Sequence, residues 1–565
     1  MSAATPTDDP STAGPDRRTF SYDPLTYAAT VPAMLAAVVA AHGDNDLLVS
    51  ALHAGGLDRV TYREADERSA EMAARLIAVG VGAGTRVGIL APNGPDFVVA
   101  FLAITRIGGV AVPINTFFQA PELRWLIRDA GLHTVLAVEE LLGKDSLARL
   151  TEAIGWPGVT DGPLRLPDVP ALRAVLPLGD HTREWPTTWP EAVAPGFRRA
   201  VEETVRPADD VAIIYTSGST SDPKGIIHTH ASVIEHSRFI ASRHEWTSDD
   251  RVYVPMVFFW IGGLVFGLTG PMQIGVTILT EERFDPGDVL ALLAGEKATY
   301  ATGFPHVGPA LVNHPDYAST DLSALREGYQ QVLLSADRRT ADPSLRVAQL
   351  GMTETCSSHT WWPPHEQLPE HKRGSLGVSA PGYEHKIVDA DGVEVPDGVT
   401  GEICVRGRAL MRGIVGRTRD ETFDADGWYH TKDGAYRDAD GHLYFAGRVD
   451  DMVKTSGANV APVEVEEVLM RIEGVRIAYV VGVPDPEKGA VVAGVVVRND
   501  GARIGEDELR TACRAQLSAY KVPKLWVVLD DVDRLPYTTT SKIDKRRLVA
   551  LLGSGELRGD HVTSA

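Results

Sequence analysis

The sequence predicts an α/β fold, with a large N-terminal domain of helices layered on a sheet and a small C-terminal α+β domain. Helical and strand-like apolar patterns alternate from about Tyr62 onward, which indicates helices packed on a substantially parallel sheet. Near residues 447–454 the pattern changes, and the remaining stretch of about 110 residues is long enough to fold as a separate unit. We therefore predict a disordered tail at 1–18, an N-terminal domain at 19–448 and a C-terminal domain at 449–565.

The individual elements follow from apolar periodicity. Helical spacing predicts a short buried helix at 31–42 and longer helices at 62–80 and 95–109. Apolar runs bounded by turn residues predict strands at 86–92, 110–115, 133–138, 211–216, 251–256 and 275–280. Residues 155–208, rich in Pro, Trp and Asp, are predicted to be a surface excursion rather than a domain. In the C-terminal part the same criteria predict helices at 462–472 and 506–517 and strands at 476–485, 490–497 and 524–530.

Composition excludes several functional classes. The chain of 565 residues has a formal net charge of −21, which is unsuited to a nucleic-acid groove or an anionic membrane surface. Its cysteines, Cys356, Cys404 and Cys513, are far apart and form no metal or disulfide pattern, which favours the reducing cytoplasm. The N-terminus lacks the basic start and apolar core of a signal peptide. No apolar run reaches the roughly 18 residues needed to cross a membrane, so we expect a soluble cytoplasmic protein.

The stretch 213–230, IIYTSGSTSDPKGIIHTH, joins a buried strand to a loop of small hydroxyl residues and one lysine, Lys224. It departs from the phosphate-binding pattern G-x-x-x-x-G-K-[ST], because Pro223 precedes the lysine and supplies no N–H. Backbone N–H groups, hydroxyls and one lysine are nevertheless sufficient to hold a polyphosphate. The alternative is a flexible polar linker between a strand and a helix, since hydroxyl-rich turns are common.

Three further motifs carry side chains suited to nucleotide chemistry. LGMTET follows a strand-like segment, LRVAQ, and its Thr353 and Glu354 suit a phosphate contact beside a magnesium ligand. GWYHTKDGAYRDADG contains Asp433, a carboxylate able to accept hydrogen bonds from ribose hydroxyls. Lys542 lies in a hydroxyl-rich loop before a basic helix. Taken singly, Glu354 is better explained as a helix-terminal charge, Lys542 as a surface lysine, and the repeated DADG sequence as a hairpin turn.

In this order the motifs resemble those of the adenylate-forming enzymes: acyl- and aryl-CoA synthetases, adenylation domains of peptide synthetases, and firefly luciferase. YTSGSTSDPKG is similar to the signature YTSGTTGxPKG, LGMTET to YGMTE, and SKIDKRR to the terminal GKIxRR. GWYHTKDGAYRDADGHLYFAGRVDDMVKTSG is similar to the family's ribose and hinge segment. The resemblance extends from about Tyr22 to Leu552. It implies an N-terminal AMP-binding domain with a β-barrel-like subdomain, and a mobile C-terminal domain.

The resemblance also implies a reaction in two halves. An acid attacks the α-phosphate of ATP, with Mg²⁺ as cofactor, and gives an acyl-adenylate and pyrophosphate. The C-terminal domain then rotates, and a thiol, usually that of coenzyme A, displaces AMP. The nucleotide-binding residues implied are Thr216, Ser217, Gly218, Ser219, Thr220, Lys224, Thr353, Asp433 and Arg448.

Within that reaction the resemblance implies specific roles. Lys542 bridges the attacking oxyanion and the α-phosphate, Thr353 contacts the α-phosphate, and Glu354 holds Mg²⁺, which makes these three the predicted catalytic residues. Asp450 falls at the hinge position. Lys454 and Gly457 fall where the thioester-forming conformation is built.

The sequence departs from the family pattern near the nucleotide. Ser219 and Ser221 replace a threonine and a glycine of the loop signature, and Leu350 replaces the aromatic residue that usually covers adenine. Ser541 replaces the glycine before the predicted catalytic lysine, and Ala458 stands where glutamate is usual. The segment before LGMTET is also shorter and lacks the usual glycines. The adenine and acid pockets are therefore the least transferable parts.

PMVFFWIGG at 255–263 replaces the family's PLFHxxG and puts consecutive aromatic residues near the predicted acid pocket. Such residues suit a flat or compact acid better than a long flexible chain, although core packing explains them equally well. The candidates for lining the pocket or its mouth are Phe258, Phe259, Trp260, Gly263, His306, Ser335, Gly351, Cys356, His359, Trp361 and Trp362.

We therefore predict an ATP-dependent ligase that activates an aryl, arylacrylic or short cyclic acid and transfers it to coenzyme A. One alternative is an adenylating enzyme whose acceptor is a carrier-protein thiol or an amine, including activation of nitrite for diazotisation of an arylamine. Another is a non-catalytic nucleotide-binding relative, which the joint presence of Lys224, Glu354, Asp433, Arg448 and Lys542 argues against. The protein is expected to be a monomer or a homodimer.

Overall fold

The structure is a computed structural model of the chain. It describes residues 28–53, 55–156, 158, 162–216, 223–304, 306–347, 349–364, 366–448, 453–455, 458–460, 462–485, 489–517, 521–538 and 542–559.

A seven-stranded sheet forms the centre of the N-terminal domain. Five neighbouring strands, from one edge of the sheet inward, run parallel to one another. The last of these five pairs antiparallel with the next strand in a hairpin, and one further short strand pairs antiparallel with that strand at the other edge. The strand order is Gly413–Ile414, Lys224–Thr229, Asp210–Thr216, Val110–Pro113, Arg86–Leu90, Thr134–Ala137 and Ala174–Pro177.

A second, six-stranded sheet is parallel except for its last strand, which pairs antiparallel. The strand order is Glu327–Gly328, Tyr300–Ala301, Arg251–Tyr253, Thr277–Glu281, Asp46–Ala51 and Leu57–Thr61. The α-helices around the two sheets are Val31–His42, Tyr62–Ala78, Pro95–Thr105, Ala120–Asp129, Ser146–Ile154, Pro195–Glu202, His230–Arg243, Gly270–Met272, Pro286–Gly295 and Val307–Val312. Every residue of helix Pro95–Thr105 except Asp96 is buried, which explains why nearly all of its sequence is apolar.

The region before the C-terminal domain, predicted to be a β-barrel-like subdomain, is antiparallel. Its main sheet has the order Tyr383–Val388, Gly401–Gly407, Tyr429–Arg437 and Leu443–Arg448. In the same region, two-stranded ladders pair Gly351–Met352 with Ser357–Ser358 and Thr360–Trp361 with Val378–Ser379. Earlier in the chain, a similar ladder pairs Glu140–Leu141 with Lys144–Asp145. Short 3₁₀ helices occur at Pro315–Ser319, Gln331–Leu333, Pro343–Leu345, Thr353–Thr355, Glu370–Lys372 and Val532–Arg534.

The C-terminal domain is an α+β unit with apolar clusters on both faces of its sheet. The strands are Ala458–Val460, Val453–Thr455, Gly489–Arg498, Val475–Asp485 and Leu525–Leu529. The helices are Pro462–Met470, Glu506–Gln516 and Lys545–Ser554. The predicted fold class is confirmed, whereas the boundary at 448/449 remains a prediction because residues 449–452 lie outside the described residues. Of the helices that the structure describes, none has the length and apolar character to cross a membrane.

Two local predictions were wrong, and one strand was not predicted. Residues 155–208 contribute the edge strand Ala174–Pro177 to the central sheet and bury Trp185, so the segment is not only a surface excursion. LRVAQ before LGMTET is not a strand in its described residues, because a 3₁₀ turn ends at Leu345 and irregular backbone follows. The strand that was not predicted is Lys224–Thr229, which follows the loop after Thr216.

A π-helix spans Gly262–Thr269, and its two adjacent glycines differ in available space. A Cβ on Gly263 would lie 2.0 Å from the carbonyl oxygen of Val257, whereas one on Gly262 would meet only the Met256 sulfur, at 3.7 Å. We predict that Gly263→Ala lowers stability by about 3 kcal/mol and that Gly262→Ala changes it by about 0.5 kcal/mol or less. Thermal unfolding of the two variants tests this, and equal midpoints would contradict it.

Glu281 is a buried carboxyl that receives a hydrogen bond from the Tyr253 hydroxyl at 3.2 Å. Burial raises the pKa of Glu281 from its ordinary 4.5 to about 8. The folded state therefore keeps a proton that the unfolded state releases. The contribution of the protonated Glu281 carboxyl to the free energy of unfolding is fully present below pH 4.5 and is lost as pH rises through 8. We expect the free energy of unfolding of the wild type to fall relative to that of Glu281→Gln between pH 5 and 8 by on the order of 3 kcal/mol, which is measured as a fall in its thermal midpoint. Glu282→Gln, at the partly exposed neighbouring residue, is the control, and its pH profile should parallel that of the wild type. If the pH profile of Glu281→Gln also paralleled that of the wild type, the prediction would be wrong.

Candidate active site

The loop predicted to bind phosphate joins two antiparallel strands. Thr216 and Lys224 are paired directly across this hairpin, so they flank the loop from opposite sides. The following helix, His230–Arg243, begins only after the second strand. In a P-loop the helix begins at the lysine and its N-terminus faces the phosphate. Lys224 is instead a point charge beside a hairpin tip, which explains why proline is tolerated before it.

Glu354 is held beside this hairpin by one extended segment. The N–H of Met411 donates to the carbonyl of Glu354, and the N–H of Val415 donates to the carbonyl of Gly225 in the second hairpin strand, both at 2.8 Å. A small apolar core lies beneath and includes Ile226, Met411, Ile414, Phe423 and Tyr429, with Met352 packed against it. The lysine strand, the glutamate turn and the strand of Tyr429 are therefore packed as one unit.

The carboxylate of Glu354 is half-buried and oriented by Tyr429. The Tyr429 hydroxyl donates to Glu354 Oε1 at 3.0 Å. Burial, followed by the charge of Glu354, raises the pKa of Tyr429 well above its ordinary value, so this group remains a donor. A carboxylate has about four lone-pair sites, so this bond still allows Glu354 to bind a cation.

Asp433 and Arg448 are cross-strand partners at the end of the main antiparallel sheet. Arg448 Nε lies 3.0 Å from Asp433 Oδ1, and the two side chains are 46% and 9% exposed. The backbone N–H of Asp433 donates to the Thr431 hydroxyl at 3.0 Å and fixes the backbone between these two residues. Lys432, which lies between Thr431 and Asp433, has a φ of +63°, a conformation that glycine adopts more readily. A buried, oriented carboxylate beside an exposed guanidinium suits a diol next to a phosphate.

Positive charge is concentrated around Lys224. Burial, followed by the charge of Arg417, lowers the pKa of Lys224, and Lys432 and Arg448 act in the same direction. Glu354 opposes them. Mutually repelling cations beside a loop favour a polyanionic ligand, whose binding relieves the repulsion.

Asp433 gives a direct test of the proposed ribose contact. We predict that Asp433→Asn raises the KM for ATP about 10–100-fold, the value of a hydrogen bond to a charged group. The same variant should discriminate less than the wild type between ATP and 2′,3′-dideoxy-ATP, because the bond to the sugar is already lost. Asp397→Asn serves as the control, since Asp397 pairs with Arg437 of the same sheet at 3.0 Å. Unchanged discrimination in Asp433→Asn would exclude the ribose contact.

Lys542 is an exposed residue of the C-terminal domain. The Thr538 N–H donates to the Lys542 carbonyl at 2.7 Å, and the Lys542 N–H donates to the Thr538 hydroxyl at 3.3 Å. Tyr537 and Ile543 form an antiparallel bridge. These contacts place Lys542 beside Thr538, just before helix Lys545–Ser554.

Several predicted site residues lie outside the described residues. They are Ser217, Gly218, Ser219, Thr220, Asp450 and Gly457, together with the side chain of Lys454, whose backbone pairs with Asn459. Their roles remain predictions.

Among the predicted pocket residues, three are fully buried. Phe258 packs against Phe97 with ring centroids 5.4 Å apart, and Cys356 belongs to the same core, where burial raises the pKa of its thiol. His359 is hydrogen-bonded to His385 at 2.7 Å, and burial lowers its pKa well below the ordinary value, so it is neutral. Packing accounts for the burial of all three.

Other predicted pocket residues form a row of touching rings that reaches the surface. Phe259 contacts Trp260 at 5.4 Å, Trp260 contacts Phe304 at 6.5 Å, and Phe304 stacks on exposed His306 at 5.9 Å. Elsewhere Ser335 is exposed, Gly351 lies in a short exposed strand, and Trp362 packs near the ring of His442 at 5.1 Å.

A cavity of about 230 Å³ lies behind the turn of Thr353 and Glu354, and the sequence did not indicate it. Its walls are formed by Glu235, His236, Arg238, Phe239, Ser242, Pro381, Gly382, Tyr383, Arg408 and Ala409. The Tyr383 hydroxyl donates to the carbonyl of Thr355 at 2.5 Å, which places the cavity next to that turn. Trp361, a predicted pocket residue, packs edge-on against Phe239 at 6.2 Å. A larger groove of about 540 Å³ is lined mainly by charged side chains such as Arg124 and Glu152.

Residues 26–415 match the family model described as "AMP-binding enzyme", and residues 464–542 match "AMP-binding enzyme C-terminal domain". The chain belongs to the AMP-binding enzyme family. It is an ATP-dependent synthetase of the AMP-forming, acid–thiol ligase type, as the motifs predicted.

The chain is similar to family members along most of its length. It is 33% identical to a feruloyl-CoA synthase of Amycolatopsis sp over 493 residues, covering 86% of this chain and 92% of that protein. The ATP-bound structure of MatB from Rhodopseudomonas palustris is 25% identical, with a TM-score of 0.71 over 92% of this chain and 98% of that one. The fold is also shared with the anthranilate CoA ligase AuaEII in complex with anthranoyl-AMP, which is 22% identical with a TM-score of 0.72 over 94% and 98% of the two chains.

Proposed function

We propose that this enzyme activates a small aryl, arylacrylic or short cyclic carboxylic acid as its acyl-adenylate, with release of pyrophosphate, and transfers the acyl group to coenzyme A. The observation that carries the proposal is the packing of the Lys224 strand, the Glu354 turn and the strand of Tyr429 into one unit. This unit combines a concentration of positive charge with an oriented carboxylate, as a polyphosphate with a divalent cation requires.

We propose that the nucleotide lies across this unit. The triphosphate faces Thr216 and Lys224 at the hairpin, and the ribose faces Asp433 and Arg448, whose carboxylate and guanidinium are already oriented by their ion pair. Glu354 holds Mg²⁺, which neutralises phosphate charge when bound; its hydrogen bond from Tyr429 positions a carboxylate oxygen without exhausting its lone pairs.

The cavity beside Thr355 supports a compact acid. Its volume of about 230 Å³ is below the usual range for drug-sized ligands, and Phe239, Tyr383 and Ala409 give it apolar walls. An acid bound there lies behind the turn that carries Thr353 and Glu354, so its carboxylate is directed to the proposed nucleotide site. The relative named feruloyl-CoA synthase supports an aromatic acid as the first class to examine.

The test supplies the full-length enzyme with ATP, Mg²⁺ and a panel of aryl, arylacrylic, cyclic and long-chain acids, together with nitrite, and measures pyrophosphate release with and without coenzyme A. We expect release with a compact acid and formation of its CoA thioester. Release that never leads to a thioester would contradict the CoA-transfer step and favour another acceptor. A preference for long-chain acids would contradict the assignment of the cavity.

A matched pair of variants links the cavity to the substrate. Phe239→Ala enlarges the cavity and should raise the KM for the preferred compact acid about tenfold or more while leaving the KM for ATP unchanged, because one aromatic wall is lost. Phe197→Ala removes a surface aromatic that is 58% exposed and should change neither constant.

A further inference from the structure

Glu402, Cys404 and His430 bring an oxygen, a sulfur and a nitrogen atom within 4.8 Å of one another on the main antiparallel sheet. Cys404 and His430 are cross-strand partners, and a register shift between Glu402 and Cys404 turns the carboxylate toward the imidazole. His430 Nδ1 lies 2.9 Å from Glu402 Oε2 and 3.4 Å from Cys404 Sγ. No metal pattern was recognisable in the sequence, because His430 lies 26 positions from Cys404 and 28 positions from Glu402 along the chain.

We propose that Glu402, Cys404 and His430 bind one borderline-soft divalent metal ion such as Zn²⁺, at a site distinct from the Mg²⁺ that accompanies ATP. Zn²⁺ binds nitrogen, sulfur and carboxylate oxygen at about 2.0–2.3 Å in a tetrahedron, which separates the ligand atoms by about 3.4–3.6 Å. The separations of 2.9 and 3.4 Å from His430 Nδ1 therefore need to open by about 0.7 Å at most, and the remaining pair lies within 4.8 Å, so side-chain rotation can bring all three atoms to these distances. A thiolate and an imidazole favour Zn²⁺ over Mg²⁺, which prefers oxygen ligands only.

Neighbouring residues contact the side chains of His430 and Glu402, as metal-binding side chains usually require. Asp424 Oδ2 lies 3.7 Å from the other ring nitrogen of His430, and Lys386 pairs with Asp424 at 3.2 Å. The second oxygen of Glu402 accepts a hydrogen bond from the Lys432 N–H at 2.8 Å. A carboxylate behind a ligating imidazole and a fixed ligating carboxylate are the usual supports of such a site.

The position of the cluster suggests what the ion does. Cys404 is fully buried, whereas the side chains of Glu402 and His430 are 20% and 39% exposed, so an ion has access from solvent and a fourth position for water. His430 precedes Asp433 by three residues on the same strand. An ion at this site, bound with loss of the thiol proton to solvent, ties the two strands together directly behind the proposed ribose contact. Its role is structural, so it is measured without ATP or acid and does not depend on the proposed function.

The test is a titration of the chelator-treated, full-length enzyme with Co²⁺, whose bond to a thiolate gives a charge-transfer band in the near ultraviolet. We expect a band that saturates at one equivalent, disappears on addition of Zn²⁺, and is absent from Cys404→Ser. Cys513→Ser is the matched control, because Cys513 is also fully buried but lies in the C-terminal domain, and it should keep the band. No band in the wild type, or an equal band in Cys404→Ser, would overturn the proposal.

Two further measurements keep the result independent of misfolding in Cys404→Ser. Glu402→Gln retains the thiol and should keep the band but bind Co²⁺ about 10–100-fold more weakly. An unchanged affinity for Co²⁺ in Glu402→Gln would show that the carboxylate is not a ligand and would overturn the proposal. Zn²⁺ should raise the thermal midpoint of the wild type and of Cys513→Ser, since an ion that binds only the folded state stabilises it. It should not raise the midpoint of Cys404→Ser, and an equal rise in that variant would also contradict the site.

Discussion

Replacing Lys542 with alanine is expected to lower the rate of acid-dependent pyrophosphate release by a factor on the order of 10²–10³, while ATP still binds. The proposed role of this lysine is to stabilise charge on the oxygens of the attacking carboxylate and the α-phosphate as they approach. Because Lys542 is exposed, its truncation removes the charge without opening a cavity in the core. Acid-dependent exchange of labelled pyrophosphate into ATP measures the first half-reaction alone.

The control for this experiment is Lys524→Ala, which removes another exposed lysine of the same domain. Its exchange rate should equal that of the wild type. A preformed acyl-adenylate offered to Lys542→Ala with coenzyme A should still give thioester, because the second half-reaction does not require this lysine. Exchange at nearly the wild-type rate in Lys542→Ala would show that the lysine has been assigned to the wrong step.

Replacing Glu354 with glutamine is expected to lower kcat/KM for ATP by about 10² and to raise the Mg²⁺ concentration needed for half-maximal rate. The amide has nearly the shape of the carboxylate, and its oxygen can still accept the hydrogen bond from Tyr429. The variant therefore removes the charge that holds the cation and leaves the local packing in place. Rates measured over a range of Mg²⁺ concentrations at fixed ATP separate this effect from a general loss of activity.

Tyr429→Phe is the matched variant, since it keeps the carboxylate and removes the hydroxyl that orients it. Its rate should fall by about tenfold or less, because the carboxylate keeps its charge and only the hydroxyl that orients it is lost, with little change in the Mg²⁺ requirement. If Glu354→Gln had the Mg²⁺ dependence of the wild type, Glu354 would not be the metal ligand.

Elements with strong periodicity and clear ends were predictable from the sequence. Helix Tyr62–Ala78 begins at a capping box in which Thr61 and Glu64 bond reciprocally to the backbone, and its buried face has helical spacing. Strand Ala174–Pro177 was missed because four residues ending in proline carry no periodic signal, and only pairing with Thr134–Ala137 makes them a strand. The strand after Lys224 was missed for a similar reason, since Pro223 resembles the end of an element rather than the bend of a hairpin.

The candidate site shows the same difference between features with a local sequence signal and features that depend on long-range packing. Residues close together in one motif, such as Thr353 and Glu354, were found because a short motif carries its own chemistry. His236 and Tyr383 lie 147 positions apart, and only the packing of a helix against the antiparallel region makes them neighbours around the cavity. Phe258 and Cys356 pack in the core, and the sequence did not distinguish the two interpretations of them, because an aromatic ring or a thiol in a motif looks the same whether it faces a pocket or the core.

The most direct test of the proposed reaction follows the oxygen atoms of the acid. The preferred acid, labelled with oxygen-18 in both carboxylate oxygens, is converted to its CoA thioester with ATP, and the AMP and pyrophosphate are analysed by mass spectrometry. Attack of the carboxylate on the α-phosphate leaves one labelled oxygen in AMP when the thiol displaces it, so we predict singly labelled AMP and unlabelled pyrophosphate. Label in inorganic phosphate with formation of ADP, or unlabelled AMP, would contradict the adenylate intermediate.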